Sequence, residues 1–364
     1  MECLERQNWK TRDGKAWKQW KIERPDEEVR KQVQRNWDMV AKPLDGMGVF
    51  EQITCQIGAI TGNPQITLEK KAVLVMCADN GVVEEGISQS GQEVTAAVAR
   101  EMTQNLSSVG KMAATIGADV FPIDIGINCP EEIPGMIQRC VRKGTRNFRK
   151  EPAMTEEEAL QAIFTGIDLV GEYKQKGYQI LATGEMGIGN TTTSSAVIAS
   201  LINCEVEAVT GRGAGLSDAG LKRKQQVITE AIETYHLREA EPLEVLRTVG
   251  GLDIAGLAGV CIGGAIHHVP VVLDGVISFA AALVAERLVP GVKEYLIPSH
   301  KGKEPAFQIL LDEMDLHPVI DGRLALGEGT GAVMMFALLD MALSVYENKT
   351  TFADIEILPY ERFE

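Results

Sequence analysis

Residues 178–202 read YQILATGEMGIGNTTTSSAVIASLI, and this stretch decides the fold. It opens with a short apolar run, passes through a turn that holds three glycines, and continues as an apolar segment of helical length. An apolar run without polar alternation is typical of a strand that is covered on both faces, as in a parallel sheet. The stretch therefore predicts one strand–turn–helix unit of an α/β fold.

Similar apolar runs occur before and after this unit. They are AVLVMCA (72–78), VFPIDIG (120–126), HVPVVLDGV (268–276) and a shorter EYLI (294–297). Helical stretches separate them, one opened by a capping box from Thr155 to Glu158 and another over residues 215–235 with Ser217 as its N-cap. Alternation of this kind predicts a parallel sheet flanked by helices.

Composition and charge limit the class of partner. The chain has 364 residues, which is enough for one large domain with a smaller attachment. Its net charge of −15 would repel nucleic acid and anionic membranes, so neither is expected as a partner. The seven scattered cysteines include no C-x-x-C, no stretch gives about 18 uninterrupted apolar residues, and the N-terminus has no apolar signal region. These features predict a cytoplasmic protein.

The two ends of the chain differ from its middle. Residues 1–24 carry Trp9, Trp17 and Trp20, and form either a flexible extension or an arm that docks on a partner subunit. A helix is expected after Pro25, and the apolar segment 331–348 is expected to be a buried or interface helix rather than a membrane span.

The glycine turn is the first candidate binding site. Ligands of open parallel sheets bind beyond the carboxyl ends of the strands, where GEMGIGNTTTS (184–194) lies. Backbone N–H groups of four residues there can face an anion, and Thr191 adds a hydroxyl: Gly187, Ile188, Gly189 and Asn190. The turn lacks both the Walker lysine and the G-x-G-x-x-G spacing, so a monophosphate is favoured over a triphosphate or a dinucleotide. The alternative is a plain strand-to-helix turn.

Four further segments are predicted walls of the same crevice. TGRGAGLSDAGLKRK (210–224) supplies Gly211, Gly213 and Lys224, although three cations on one helix are more often a solvated face. LALGEGTGAVMMF (324–336) supplies Leu326 and Glu328, where Glu328 is either a general base or a helix cap. The remaining predicted substrate-binding residues are Ser88 and Gln92 in segment 77–95 and Gly302 in segment 298–307. The five dispersed histidines predict no metal site.

In this order, GEMGIGNTT, GRGAGLSDAGLKRK, GGLDIAGLAG, VVLDGVISFAAAL, SHKGKEP and LGEGTGA resemble the nicotinate-nucleotide:dimethylbenzimidazole phosphoribosyltransferase family. The similarity runs from about residue 40 to the end of the chain. It implies phosphoribosyl transfer from nicotinate mononucleotide to an aromatic base, without metal or other cofactor, in cobamide synthesis. It also implies a Rossmann-like large domain (71–330), a small helical domain from both termini (25–70 plus 331–364), and a homodimer or a heterodimer with a paralogous subunit.

The resemblance assigns roles to five positions of this sequence. Glu328 matches the family's catalytic base, Glu185 matches a second acid near the ribose, Gly187 and Gly189 lie on the nucleotide-binding loop, and Lys224 matches a phosphate-contacting lysine. Carboxylates near the anomeric carbon would stabilise the oxocarbenium character that develops as nicotinate leaves.

Several positions depart from the usual family pattern. Members usually have Pro, His, Ser and a Gly-His pair where this chain has Ser90–Gly91, Asn80, Gly302 and Ala306–Phe307. Because these positions are expected around the acceptor and nicotinate pockets, a phenolic acceptor used by a heterodimeric enzyme is one alternative. A subunit that is inactive without a homologous partner is another, and a nucleotide-binding regulator without turnover is a third.

Overall fold

A central sheet of six parallel strands organises the chain in this computed structural model, which describes residues 20–347 and 349–362. The strand order is β3-β2-β1-β4-β5-β6, so the order reverses between β1 and β4, as in doubly wound dinucleotide-binding folds. The strands are β1 Lys71–Ala78, β2 Asp119–Gly126, β3 Ile137–Gln138, β4 Ile180–Met186, β5 Val271–Leu273 and β6 Leu296–Pro298. The predicted Rossmann-like parallel sheet is confirmed.

Thirteen helices surround the sheet in the described part of the chain. They are α1 Glu27–Asp38, α2 Val49–Thr61, α3 Glu93–Thr103, α4 Ser108–Thr115, α5 Glu156–Gln175, α6 Asn190–Ile202, α7 Val206–Val209, α8 Asp218–Thr234, α9 Pro242–Val249, α10 Leu252–His267, α11 Val276–Leu288, α12 Ala306–Met314 and α13 Thr330–Glu347. The capping box at Thr155 and the N-cap at Ser217 are both present. A second sheet of two parallel strands, β7 His300–Gly302 and β8 Ile320–Leu324, was not predicted.

Both faces of the sheet are covered, which explains the unbroken apolar runs. Leu74 and Met76 of β1 belong to the core shared with α5, α6, α10 and α11, whereas Val73 and Val75 belong to the core shared with α1, α2 and α13. Side chains alternate across a strand, so a strand between two cores needs an apolar residue at every position. On one face α5 and α10 approach closely: a Cβ on Gly166 would lie 2.1 Å from the Gly256 carbonyl oxygen.

Segments from the two ends of the chain pack together. The ring of Trp37 on α1 lies 5.0 Å from that of Tyr346 on α13, and Asn36 Nδ2 donates to Tyr346 Oη at 2.8 Å. Arg362 forms ion pairs with Asp38 and Asp45. This cluster shares its hydrophobic core with one face of the sheet. The division into a small helical domain (25–70 plus 331–364) and a large domain (71–330) therefore stays a prediction.

The N-terminal tryptophans fall into two groups. Trp9 and Trp17 lie outside the described residues. Trp20 packs edge-on against Phe164 of α5 at 5.7 Å between ring centroids, and Tyr295 Oη donates to the Glu23 carbonyl at 2.8 Å. The described end of the extension therefore lies on helices of its own chain, an arrangement that neither alternative for residues 1–24 predicted.

Helix α13 is long and apolar enough to cross a membrane by length and composition. Its 18 residues have a mean hydropathy of 1.3, but 56% of them are buried inside the protein. A helix that is apolar nearly all round and packs against neighbours is a core helix.

Candidate active site

A cavity of about 310 Å³ opens beside the point where the strand order reverses. Strand β4 ends at Met186 and is followed by the glycine turn, and crevices at such switch points are the usual ligand sites of open α/β sheets. The volume suits a small molecule. Eight of the predicted site residues line this cavity directly: Ser88, Glu185, Gly187, Ile188, Gly189, Asn190, Thr191 and Gly213. Leu326 and Glu328, which belong to a much later segment of the sequence, also line the cavity.

The glycine turn is pressed against the end of β1. A Cβ on Gly187 would lie 2.4 Å from the Ala78 carbonyl oxygen and 2.6 Å from Asp253 Oδ2, so only glycine fits at this position. Gly189 has φ +95° and begins α6 as its N-cap. Because glycine needs no side-chain space, the backbone of the turn can approach a ligand from the cavity side.

The expectation that four consecutive N–H groups face an anion does not hold for two of them. The Ile188 N–H donates to Thr95 Oγ1 at 3.1 Å, and the Asn190 N–H donates to the Gly187 carbonyl at 3.0 Å. These two residues line the cavity with other atoms, because their N–H groups are used to shape the turn. The sequence shows which residues form the turn but not which of their N–H groups remain available.

Lys224 is one of the most deeply buried cations of the described chain. Only 1% of its surface is exposed, and its Nζ donates to Thr191 Oγ1 at 2.9 Å and to the Gly211 carbonyl at 3.2 Å. Burial lowers the pKa of Lys224 to about 8. Its neighbour Lys222 is exposed, and Arg223 pairs with Glu85 at 2.6 Å. Lys224 and Gly211 therefore lie behind the cavity wall. Lys224 is connected to the wall by its hydrogen bond to Thr191, which lines the cavity.

Glu185 is the second-last residue of β4 and lies in a buried cluster of polar side chains. Its carboxylate accepts a hydrogen bond from the side-chain amide of Asn190 and one from the backbone N–H of Glu328. Burial, followed by the nearby charge of Asp253, raises the pKa of Glu185 to about 8. The Asn190 side chain also lowers the pKa of Asp253, so one amide acts on both acids.

Glu328 stands in a backbone conformation that side chains rarely adopt. Its φ is +63°, between Gly327 at +86° and Gly329 at +99°. Its Oε2 accepts a hydrogen bond from the Val109 N–H, at the start of α4, at 3.0 Å. A Cβ on Gly327 would lie 2.5 Å from Glu185 Oε1, which places the turn of Glu328 directly against the second acid.

Four predicted binding residues are not among those that line the cavity: Lys224 and Gly211, which lie next to its wall, and Gln92 and Gly302. Gln92 donates to the Asn80 carbonyl at 3.3 Å and accepts from Asn128 Nδ2 at 3.1 Å, which ties two loops together. Gly302 lies on β7, while its neighbours His300 and Glu304 line the cavity instead. Within residues 20–347 and 349–362, no group of three or more His, Cys, Asp or Glu side chains is arranged to hold a metal ion.

A family model described as "Phosphoribosyltransferase" matches residues 22–357. The chain belongs to this family.

Individual relatives of this phosphoribosyltransferase have similar lengths. It is 45% identical to the nicotinate-nucleotide–dimethylbenzimidazole phosphoribosyltransferase of Acetivibrio thermocellus, over 90% of this chain and 94% of the relative. It is 42% identical to the protein of the same name from Clostridium acetobutylicum, over 92% and 96% of the two chains. A crystal structure of CobT from Thermus thermophilus superimposes with a TM-score of 0.86 at 36% identity, covering 92% of this chain and all of that one.

These comparisons confirm the resemblance, the α/β fold and the enzyme class. The phenolic alternative finds no support in them. None of the departing residues lines the cavity: Asn80, Ser90, Gly91, Gly302, Ala306 and Phe307. Asn80 and Phe307 are buried in the protein instead.

Some residues in and around the cavity were not predicted. Asp253 is fully buried beneath the glycine turn, its Oδ2 has no hydrogen-bond partner, and burial raises its pKa to about 6. The only sequence signal was its place in GGLD, directly before an apolar helix. His300 also lines the cavity, and burial lowers its pKa to about 4, so it is neutral near pH 7.

Proposed function

We propose that this phosphoribosyltransferase moves the 5-phosphoribosyl group of nicotinate mononucleotide to 5,6-dimethylbenzimidazole or a related aromatic base. The products are an α-riboside 5′-phosphate and nicotinate, as a step of cobalamin synthesis. One observation carries the proposal: Glu328 and the glycine turn at Gly187 and Gly189 line the same cavity. The names of the relatives support the choice of both substrates.

The proposed reaction is a direct displacement at the anomeric carbon. The Glu328 carboxylate takes the N–H proton of the acceptor ring while the ring nitrogen forms a bond to that carbon. The bond from the carbon to the nicotinate nitrogen breaks, and its electron pair returns to the pyridine ring, which becomes neutral. Attack opposite the leaving group inverts the carbon and converts a β-riboside into an α-riboside.

Glu185 is suited to stabilise the positive charge of this reaction. With a pKa of about 8 its carboxyl group is mostly protonated near pH 7 in the chain without substrate. A pyridinium ring, or the oxocarbenium character of the ribose, favours the ionised carboxylate and lowers that pKa. Binding of the pyridinium ring would therefore release a proton from the Glu185–Asp253 pair.

The phosphate is proposed to bind where Thr191 and Gly213 line the cavity next to Lys224. An anion there favours the charged form of a lysine whose pKa burial has lowered to about 8. The Thr191 hydroxyl accepts from Lys224, so it can donate its own proton to a phosphate oxygen. Charge and hydroxyl thus act on the phosphate together.

Turnover by the purified chain tests the proposal. The chain is incubated with nicotinate mononucleotide and, in separate reactions, with benzimidazoles, purines and phenols, and nicotinate and riboside phosphate are quantified by chromatography. We expect equal amounts of the two products with 5,6-dimethylbenzimidazole, and a loss of about 100-fold or more in kcat for Glu328→Ala. Absence of any riboside product with every base contradicts the proposed function, and full activity of Glu328→Ala contradicts the assigned base.

We also propose that the enzyme is a homodimer and acts in the cytoplasm. Met334, Met341 and Val345 are exposed at helical spacing on α13, which leaves an apolar stripe on a helix otherwise packed in the core. All six described cysteines are unpaired, which fits a reducing compartment. Sedimentation equilibrium tests the dimer, with Met341→Lys expected to shift it to monomer. A dimer that persists in this variant contradicts the assigned surface, and a wild-type monomer that gains mass only with a paralogous chain indicates a heterodimer.

A further inference from the structure

The turn that carries Glu328 needs outside support. Gly327, Glu328 and Gly329 all have positive φ, and a non-glycine residue in that region persists only where its surroundings hold it. The side chain of Glu328 has one described anchor, the Val109 N–H. One hydrogen bond to a carboxylate at the end of a long side chain does not set the backbone of the turn, so another group must.

Asp274 supplies that support from the end of β5. Its Oδ2 accepts from the Gly329 N–H at 3.2 Å, and its Oδ1 accepts from the N–H groups of Gly331 at 2.8 Å and Ala332 at 3.2 Å. The first N–H groups of a helix have no partner within the helix. The carboxylate of Asp274, at the end of β5, therefore caps α13. It also hydrogen-bonds Gly329, the residue that directly follows Glu328.

Asp274 is itself held firmly. It is 1% exposed, and its backbone N–H donates to Thr183 Oγ1 on β4 at 3.2 Å. Thr183 Oγ1 in turn donates to the Val272 carbonyl at 3.2 Å. Among the residues that the structure describes, no Lys or Arg forms an ion pair with Asp274, so its carboxylate is committed to backbone N–H groups. Burial raises the pKa of Asp274 to about 7.

We propose that Asp274 is a positioning residue that aims the Glu328 carboxylate at the acceptor proton. The proposal rests on the function proposed above. A misplacement of about 1 Å in a catalytic group can reduce a rate by about 100-fold, whereas binding of the sugar phosphate depends on the glycine turn of β4 and on Lys224, which Asp274 does not contact. Loss of Asp274 should therefore act on the chemical step and leave substrate binding nearly intact.

Asp274→Asn tests the proposal. Asparagine keeps the size of the side chain but presents an NH2 group to one of the N–H donors, so the turn loses part of its support. We expect kcat with 5,6-dimethylbenzimidazole to fall between about 10-fold and 100-fold, while KM for nicotinate mononucleotide stays within about threefold. A rise of KM with unchanged kcat contradicts the proposal.

A double-mutant cycle separates positioning from general damage to the fold. In a Glu328→Ala background there is no carboxylate left to aim, so Asp274→Asn should change the residual rate by less than about twofold. An equal fall of kcat in both backgrounds shows that Asp274 acts only through stability, and overturns the inference. Failure of the wild-type chain to form riboside product overturns the proposed function instead, so the two failures are distinguishable.

Two further variants keep the test interpretable. Glu51→Gln is the matched control, because Glu51 is also 1% exposed and accepts a backbone N–H, from Met47 at 2.9 Å, but lies on α2 away from the cavity lining. It should leave kcat unchanged. If Asp274→Asn does not fold, Thr183→Val removes the hydroxyl that holds the Asp274 backbone and should lower kcat about threefold at constant KM. An unchanged kcat in a folded Thr183→Val protein then counts against the proposal.

Discussion

Lys224 Nζ lies 2.9 Å from Thr191 Oγ1, so a buried cation of α8 is joined to the first turn of α6 at the wall of the cavity. The ammonium group is 1% exposed and has no carboxylate within ion-pair distance in the described chain. An unpaired buried charge lowers stability, and sites that do so are typically functional. The buried ammonium group of Lys224 therefore lowers the stability of the fold and provides a positive charge for binding an anion.

Replacing this lysine should separate stability from binding. We expect Lys224→Met to raise the free energy of unfolding by about 1 kcal/mol near pH 7, because an apolar side chain of similar length replaces a buried amine. KM for nicotinate mononucleotide should rise about tenfold or more. Chemical denaturation and steady-state kinetics measure the two effects, with the exposed Lys222→Met as the control that should change neither.

The pH dependence of this effect has a defined sign. The pKa of Lys224 is about 8 in the folded chain against 10.5 as the ordinary value, so between these values the unfolded chain binds more protons. Stability of the wild type relative to Lys224→Met should rise as the pH increases from about 8 towards 10.5. A difference between the two proteins that does not vary with pH would contradict the assignment of a buried ammonium group.

Glu185 should make stability depend on pH in the opposite sense. Its pKa is about 8 in the folded chain and 4.5 ordinarily, so the folded chain binds more protons between these values. Its contribution is fully present below about pH 4.5 and is lost as the pH rises through 8. Melting temperatures measured from pH 4.5 to 8.5 should therefore fall for the wild type relative to Glu185→Gln, and parallel curves would show that this carboxyl group titrates normally.

Gly187 should tolerate no side chain. A Cβ there would lie 2.4 Å from the Ala78 carbonyl oxygen, which is backbone and cannot rotate away. We expect Gly187→Ala to lower the free energy of unfolding by about 2 kcal/mol and to raise KM for nicotinate mononucleotide. Gly275→Ala is the control for stability, because a Cβ at Gly275 meets no atom within 4 Å and its φ is −94°. Equal stability of the two variants would mean that the turn is free to move.

Glu328→Gln should lower kcat strongly without disturbing the turn. Its side-chain oxygen can still accept from the Val109 N–H, so the free energy of unfolding should stay within about 0.5 kcal/mol of the wild type. An amide cannot take the acceptor proton, so kcat should fall about 100-fold or more. Calorimetry should show unchanged affinity for nicotinate mononucleotide. Residual activity near that of the wild type would assign the proton transfer to another group.

Local patterns were enough to find most of the site. The glycine turn and Glu328 were named from local patterns, because glycines at the end of an apolar strand and an acid between two glycines are visible within a few residues, whereas Lys224 was singled out by the family resemblance. The sequence did not show in which direction the N–H groups and side chains of those segments point. The Ile188 N–H turns to Thr95, a residue 93 positions away, and no local pattern reports such a partner.

By itself, the sequence determined the parallel sheet flanked by helices and the ends of the strands at which ligands bind, since these depend on the spacing of apolar residues and on the backbone freedom of glycine. Only the tertiary structure decided which groups surround the reacting atoms. Asp274 meets Gly329 across 55 residues of sequence, and Val109 meets Glu328 across 219. Such contacts arise when strands β1, β4 and β5 are aligned side by side, because alignment brings their ends together whatever the length of chain between them.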